Sequence, residues 1–221
     1  MPALEGDRVD WNSQRLDYAW RDGNRRHVGA TLVRESRFGL VDGGVELRGG
    51  TRLAGNWSIS GEVGIHPDAE VLPEWFADVQ LQAPPVQHGD SALVGIAGLR
   101  RTRYRETTVD RLALGGELYR GAWRLGYTFN LTRVDGSSLA GHDLALDRYY
   151  GDASFVGVRF GTGREDVRLA TGVVASEVDS AGLLGRHWWT PRWALEWGFG
   201  HVAQSGLYDR GWGSLGVRHA F

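Results

Sequence analysis

Trp123-Arg124-Leu125-Gly126-Tyr127-Thr128-Phe129-Asn130-Leu131 carries a large apolar residue at every odd position and a polar or small one at every even position. A helix repeats every 3.6 residues and would scatter these side chains around its axis. A strand repeats every two and sorts them onto opposite faces. The stretch therefore predicts a strand with one greasy and one polar face.

The same pattern recurs along the chain. Trp57, Ile59, Val63 and Ile65 alternate with Ser58, Ser60, Glu62 and Gly64, and Trp193, Leu195, Trp197 and Phe199 alternate with Ala194, Glu196 and Gly198. Val45, Leu47 and Leu53 oppose Glu46, Arg48 and Arg52, while Leu112, Leu114 and Leu118 oppose Arg111, Ala113 and Glu117. About thirteen such runs can be marked. Asp22-Gly23-Asn24, Gly55-Asn56, Gly121-Ala122, Gly151-Asp152 and Thr190-Pro191 separate them as tight turns. Longer connections are expected at 38–44, 66–73, 135–141 and 164–182. Short turns on one side and longer loops on the other are the habit of transmembrane β-barrels.

Composition points the same way. The 221 residues include 33 Gly and 10 Trp but only one Met and no Cys. Gly weakens a helix interior by about 1 kcal/mol, which disfavours a bundle. The absence of Cys excludes a disulfide frame and thiolate metal sites. A net charge of −2 provides no global basic field for nucleic acid. No run of apolar residues is long enough for a transmembrane helix, but a transmembrane strand needs only about 9–11 residues, half of them polar.

The apolar set, with Trp57, Trp75, Trp123, Trp188, Trp189 and Trp193 near run ends, suits lipid flanked by aromatic girdles. The competing reading is a soluble β-sandwich. The opposite face carries too many charges for a dry core. That face holds Arg15, Asp17, Glu46, Arg48, Arg52, Glu62, Asp78, Arg111, Glu117, Arg124, Arg159, Glu196 and Arg218. In a barrel these residues line the lumen, either bracing it through Arg–carboxylate pairs or selecting a charged or sugar solute. The bracing role is favoured.

The run Leu215-Gly216-Val217-Arg218-His219-Ala220-Phe221 alternates up to a terminal aromatic, as in the last strand of an outer-membrane barrel. Met1-Pro2-Ala3-Leu4-Glu5-Gly6-Asp7 lacks the basic start and apolar core of a secretory leader. An exported chain is therefore expected to be processed or truncated, with residues 1–10 irregular or a shortened first strand.

Several blocks together resemble the YaiO-type outer-membrane β-barrel family. They are Arg37-Phe38-Gly39-Leu40-Val41-Asp42, the stretch from Tyr119 to Thr128, the stretch from Tyr149 to Val158, Gly161-Thr162-Gly163-Arg164-Glu165, the stretch from Gly185 to Leu195, and Leu207-Tyr208-Asp209-Arg210-Gly211 onward. The resemblance implies an outer-membrane location and a non-enzymatic barrel. Related barrels belong to exopolysaccharide export systems.

The expectation is one domain over residues 1–221, an all-β, transmembrane, antiparallel up-and-down β-barrel of roughly 12 to 14 strands. It is expected to act without catalysis as a conduit or scaffold linked to exopolysaccharide export. Its partners would be outer-membrane lipid, the barrel-assembly machinery and polysaccharide, with no nucleic acid, cofactor or metal. The alternative is an outer-membrane enzyme acting on lipid or peptide from the loop side. Neither a nucleophile elbow nor a zinc-protease motif is present. The residues nearest to such a site are His142 and Asp143 beside Ser137 and Ser138. Asp143 and Asp147 near Tyr149 and Tyr150 are a weaker Ca²⁺ or sugar candidate.

Overall fold

The computed structural model describes residues 11–221 apart from 24, 38, 135, 170, 171 and 205–207, and gives only the strand path for 164–169, 172–176 and 208. The expected irregular or shortened strand at 1–10 lies outside the described residues. Among the described residues, fourteen antiparallel strands form one sheet. They are β1 (Asn12–Asp22), β2 (Arg26–Arg37), β3 (Leu40–Arg52), β4 (Ser58–Ile65), β5 (Trp75–Gln82), β6 (Val86–His88), β7 (Ser91–Arg103), β8 (Thr108–Arg120), β9 (Trp123–Val134), β10 (Ser137–Tyr150), β11 (Ser154–Leu169), β12 (Gly172–Trp188), β13 (Trp193–Gln204) and β14 (Tyr208–His219). Each strand pairs with the next in sequence, except that both β5 and β6 pair with β7. Pro84 and Pro85 separate them, and proline has no N–H to give to a ladder. Taking β5 and β6 as one interrupted line, the described strands make thirteen lines in the sheet, close to the about thirteen runs marked in the sequence.

The chain divides into two compact units. The first is Met1–Leu81 with Gly98–Asp110, and the second is Gln82–Ala97 with Arg111–Phe221.

Hairpin turns fall where glycine permits them. Gly121 has φ +54° between β8 and β9, and Gly151 has φ +57° between β10 and β11. A Cβ would be strained at either angle, and tight hairpins require such angles. Of the longer connections expected, only 66–73 is a loop. Residues 40–44 belong to β3, 137–141 to β10, and 164–169 and 172–182 to β11 and β12. Their Gly, Ser and charge content reads as loop by composition. Ladder hydrogen bonds hold regardless of whether side chains are apolar, so the strands run on through these polar ends.

The two faces invert a soluble protein. Among the described residues, the buried apolar side chains are only Val33, Ala69, Phe76, Val94 and Ala194. Nine polar residues are buried, including Thr31, Glu46, His66 and Asp147. Trp123, Leu125, Tyr127 and Leu131 are 40–48 % exposed on one face of β9, while Gly126 on the other is buried. Trp57, Trp75, Trp189 and Trp193 are exposed near strand ends, as a girdle requires, whereas Trp188 is half-buried. Its register neighbour Ala194 is fully buried, which puts this tryptophan on the polar face.

The inversion sets an expectation for β9. Leu125→Arg places a guanidinium on the apolar face and should cost about 2–4 kcal/mol if that position is near the bilayer midplane. Asn130→Arg, beside the Asp143 carboxylate that Asn130 already contacts, should cost far less. Denaturant unfolding from lipid vesicles measures both, and equal losses would contradict the face assignment.

Candidate functional site

The polar face concentrates every chemically interesting cluster in ion pairs stitched across strands. In the first unit, Asp17 on β1 stands opposite Thr31 on β2. The Thr31 hydroxyl donates to Asp17 Oδ1 at 2.6 Å, and Arg48 Nη1 on β3 donates to the same oxygen at 3.1 Å. Arg48 crosses β2 to reach it, passing over Gly29, where a Cβ would lie 2.9 Å from its Nε. Arg15 pairs with Glu46 at 3.3 Å, so β1 and β3 are bridged twice over β2. Glu62 on β4 stands opposite Arg48 and lies in the fields of Glu46, Arg100 and Asp78. Phe76 packs into the space that a Cβ on Gly64 would fill, with the Arg100 guanidinium 3.9 Å above its ring.

The 66–73 loop is tied to the same face. Asp42 accepts backbone N–H bonds from Glu70, Val71 and Leu72, the last two at 2.7 Å. His66 at the loop's start is 1 % exposed and fills the gap above Gly44.

In the second unit the centre is Asp147, which is 1 % exposed on β10. Arg124 on β9 donates through Nε at 2.7 Å, and Arg159 on β11 donates at 2.6 Å. Arg124 also donates to Glu117 on β8 at 2.7 Å, and Glu117 accepts from Tyr119 Oη at 2.5 Å. Four strands are thereby joined by one chain of charges. Gly157 leaves room for it, because a Cβ there would collide with the Asp147 carboxylate. The arrangement repeats around Glu196 on β13, which takes Arg186 of β12 at 2.7 Å and Arg218 of β14 at 3.6 Å.

Of the sequence-derived candidates, Arg48, Glu62, Glu117, Arg124, Arg159, Glu196 and Arg218 all enter these clusters. Asp78 is half-buried beside Glu62, whereas Arg52 and Arg111 are exposed. Sequence reasoning passed over Asp147, Arg186, Thr31 and Asp42 as members. Their parity was legible, but strand-to-strand register decides which acid meets which arginine. His142 and Asp143 diverge. His142 stacks on the exposed Tyr127, whose Oη lies 2.8 Å from its Nδ1, while Asp143 accepts from Asn130 on the polar face. Ser137 and Ser138 pair with Val134 and Arg133 in the β9–β10 ladder. Among the described residues no three His, Asp or Glu side chains converge as metal ligands. At the turn end of the apolar face, Trp193 and Phe221 flank His219 at centroid distances of 4.3 and 4.6 Å.

Residues 3–166 match the YaiO membrane beta barrel domain. The chain belongs to the YaiO membrane β-barrel family. Its exposed apolar face is therefore the lipid-facing one, and the fold is a transmembrane antiparallel β-barrel. The crystal structure of OccAB4 from Acinetobacter baumannii has a similar fold, with a TM-score of 0.57 at 10 % identity. The match covers 92 % of this chain and 63 % of OccAB4. No curated protein matches the sequence.

Asp147 offers the sharpest test of the stitching in this YaiO domain. Asp147→Ala takes from Arg159 its carboxylate partner and leaves Arg124 with Glu117 alone, and should destabilise by about 3 kcal/mol. Arg111→Ala, at an exposed position, should leave the unfolding midpoint unchanged. Paired denaturant titrations in one detergent compare them.

Proposed function

We propose that this chain is an outer-membrane barrel that passes hydroxyl-rich solutes, in the setting of exopolysaccharide export, without itself catalysing a reaction. The observation that carries this reading is the mutual neutralisation of the polar face. Asp147 is shared by two arginines, Glu196 by two, and Asp17 is held by Arg48 and Thr31. Charges spent on each other offer little net field to a small ion, yet their hydrogen-bonding edges suit sugar hydroxyls. On this reading polysaccharide is the transient partner, outer-membrane lipid covers the apolar face, and the barrel-assembly machinery inserts the chain. Arg124, Arg159, Glu117, Glu196, Arg218, Arg48, Arg52, Glu62, Asp78 and Arg111 are the proposed lumen lining. The alternative lipid- or peptide-modifying activity gains no support from the divergence of His142 and Asp143 onto opposite faces.

Two measurements test the reading. Density fractionation of a Gram-negative host should recover the protein with outer-membrane markers. In liposomes, the purified protein should release neutral oligosaccharides faster than sulfated ones of equal length. Release of neither, or preference for the sulfated set, would overturn the conduit.

A further inference from the structure

Strand β14 inverts the usual sorting at one level. Its register against β13 puts Gly211, Gly213, Leu215 and Val217 on the lipid face and Arg210, Trp212, Ser214 and Arg218 on the polar face. Here glycine faces lipid, and the bulkiest side chain faces the charges. Trp212 stands opposite Gly200 of β13, and Gly200 stands opposite Gly182 of β12. The indole lies across both. A Cβ on Gly200 would come within 2.7 Å of its Cε2 and Cζ2, one on Gly182 within 3.0 Å of Cζ2, and one on Gly198 within 3.1 Å of Cζ3. The three glycines are not in line: Gly182 and Gly200 are neighbours across strands, and Gly198 lies further along β13. One six-membered ring approaches all three this closely only when it lies face-down on them. A side chain at any of the three would tip it off the wall.

We propose that Trp212 is a stacking platform for a neutral pyranose ring on the polar face. One face of the indole is packed on glycine, yet Trp212 remains 36 % exposed, so its other face meets the water of the lumen. Apolar area left in water is a standing cost that a second apolar surface would remove. The open face of an indole is also electron-rich. Its complement is a flat surface of weakly positive C–H hydrogens. A pyranose whose hydroxyls are all equatorial has that surface. Its axial C–H bonds point at the aromatic ring, while its hydroxyls radiate outward in the plane.

The groups around the indole suit those hydroxyls. The row from Trp212 through Gly200 and Gly182 ends on Arg159 of β11, which stands opposite Gly182. Ser214 follows Trp212 on the same face, with its Oγ 3.1 Å from the place of a Cβ on Gly198. The next acid toward the turns is Glu196, held by Arg186 and Arg218. Donors and acceptors on both sides of an apolar plane are the arrangement that orients a small polar ligand. Asp147 and Glu196 are each taken by two arginines. An organic cation, which the indole face would also attract, finds no free counter-charge on either. The choice of a sugar rests on the reading of the polar face as a path for hydroxyl-rich solutes, whereas the flat, open indole does not.

Cellohexaose, a neutral chain of all-equatorial glucose units, is the probe. Saturation-transfer NMR on the folded protein in detergent follows its binding and requires no transport. Trp212→Leu keeps apolar bulk but loses the flat face, and should raise the dissociation constant by about tenfold. Trp212→Phe keeps a flat ring and should stay within about threefold of the wild type. A second readout needs no weakened variant. In wild-type protein carrying fluorotryptophan, the ¹⁹F signal absent from Trp212→Phe should shift on titration. The signal absent from Trp197→Phe, on the opposite face of β13, should stay still. Wild-type protein that binds no cellohexaose, Trp212→Leu that binds as tightly as wild type, or a Trp212 signal that does not move would each overturn the platform. Liposome release reports on the conduit alone. Release without Trp212-dependent binding keeps the conduit and removes the platform, and Trp212-dependent binding without release does the reverse.

Discussion

A strand immersed in hydrocarbon has no water to satisfy its backbone, so each N–H and C=O must find its partner on a neighbouring strand. Everything else in this molecule follows from that demand. It fixes the up-and-down order, in which each strand pairs with the next apart from the interrupted β5–β6 line. It tolerates Pro84 and Pro85 only at the break between β5 and β6. Fixed pairing in turn fixes which side chains share a face, so the lipid side can be uniformly apolar while the other side carries the charges.

On the polar side those charges are organised by glycine as much as by arginine. Gly29, Gly64 and Gly157 are recesses beneath Arg48, Phe76 and Asp147. Arg48 lies down across β2 to reach β1, while Phe76 and Asp147 fold onto the strand beside them. Buried ion pairs seldom stabilise a soluble core relative to apolar packing. Here a wall that cannot be apolar on both sides has few other ways to join its strands through side chains.

The strands were legible because period-two alternation is local. Trp123–Leu131 declares its two faces without reference to any other segment. Tight turns were legible for the same reason, since Gly121 and Gly151 mark them chemically. Composition reads the polar strand ends at 40–44, 137–141, 164–169 and 172–182 as loop, but ladder pairing makes them strand. The clusters were half legible. Parity placed Arg124 and Glu117 on one face, but the central role of Asp147 depends on its lying opposite Arg124 and diagonal to Arg159. His66 gave no signal in the sequence, as its burial rests on the gap left above Gly44 on β3.

The position of Asp147 also bears on how the chain reaches its native pairing. A slip of β10 by one residue would send Asp147 into lipid and bring Leu146 among Arg124 and Arg159, because a one-residue shift flips every side chain. The hairpins on either side would then both hold stranded guanidinium groups. A single carboxylate shared by two neighbours thus ties the register of β10 to β9 and β11 at once. Misaligned intermediates are penalised twice, while the correct alignment satisfies three strands with one residue.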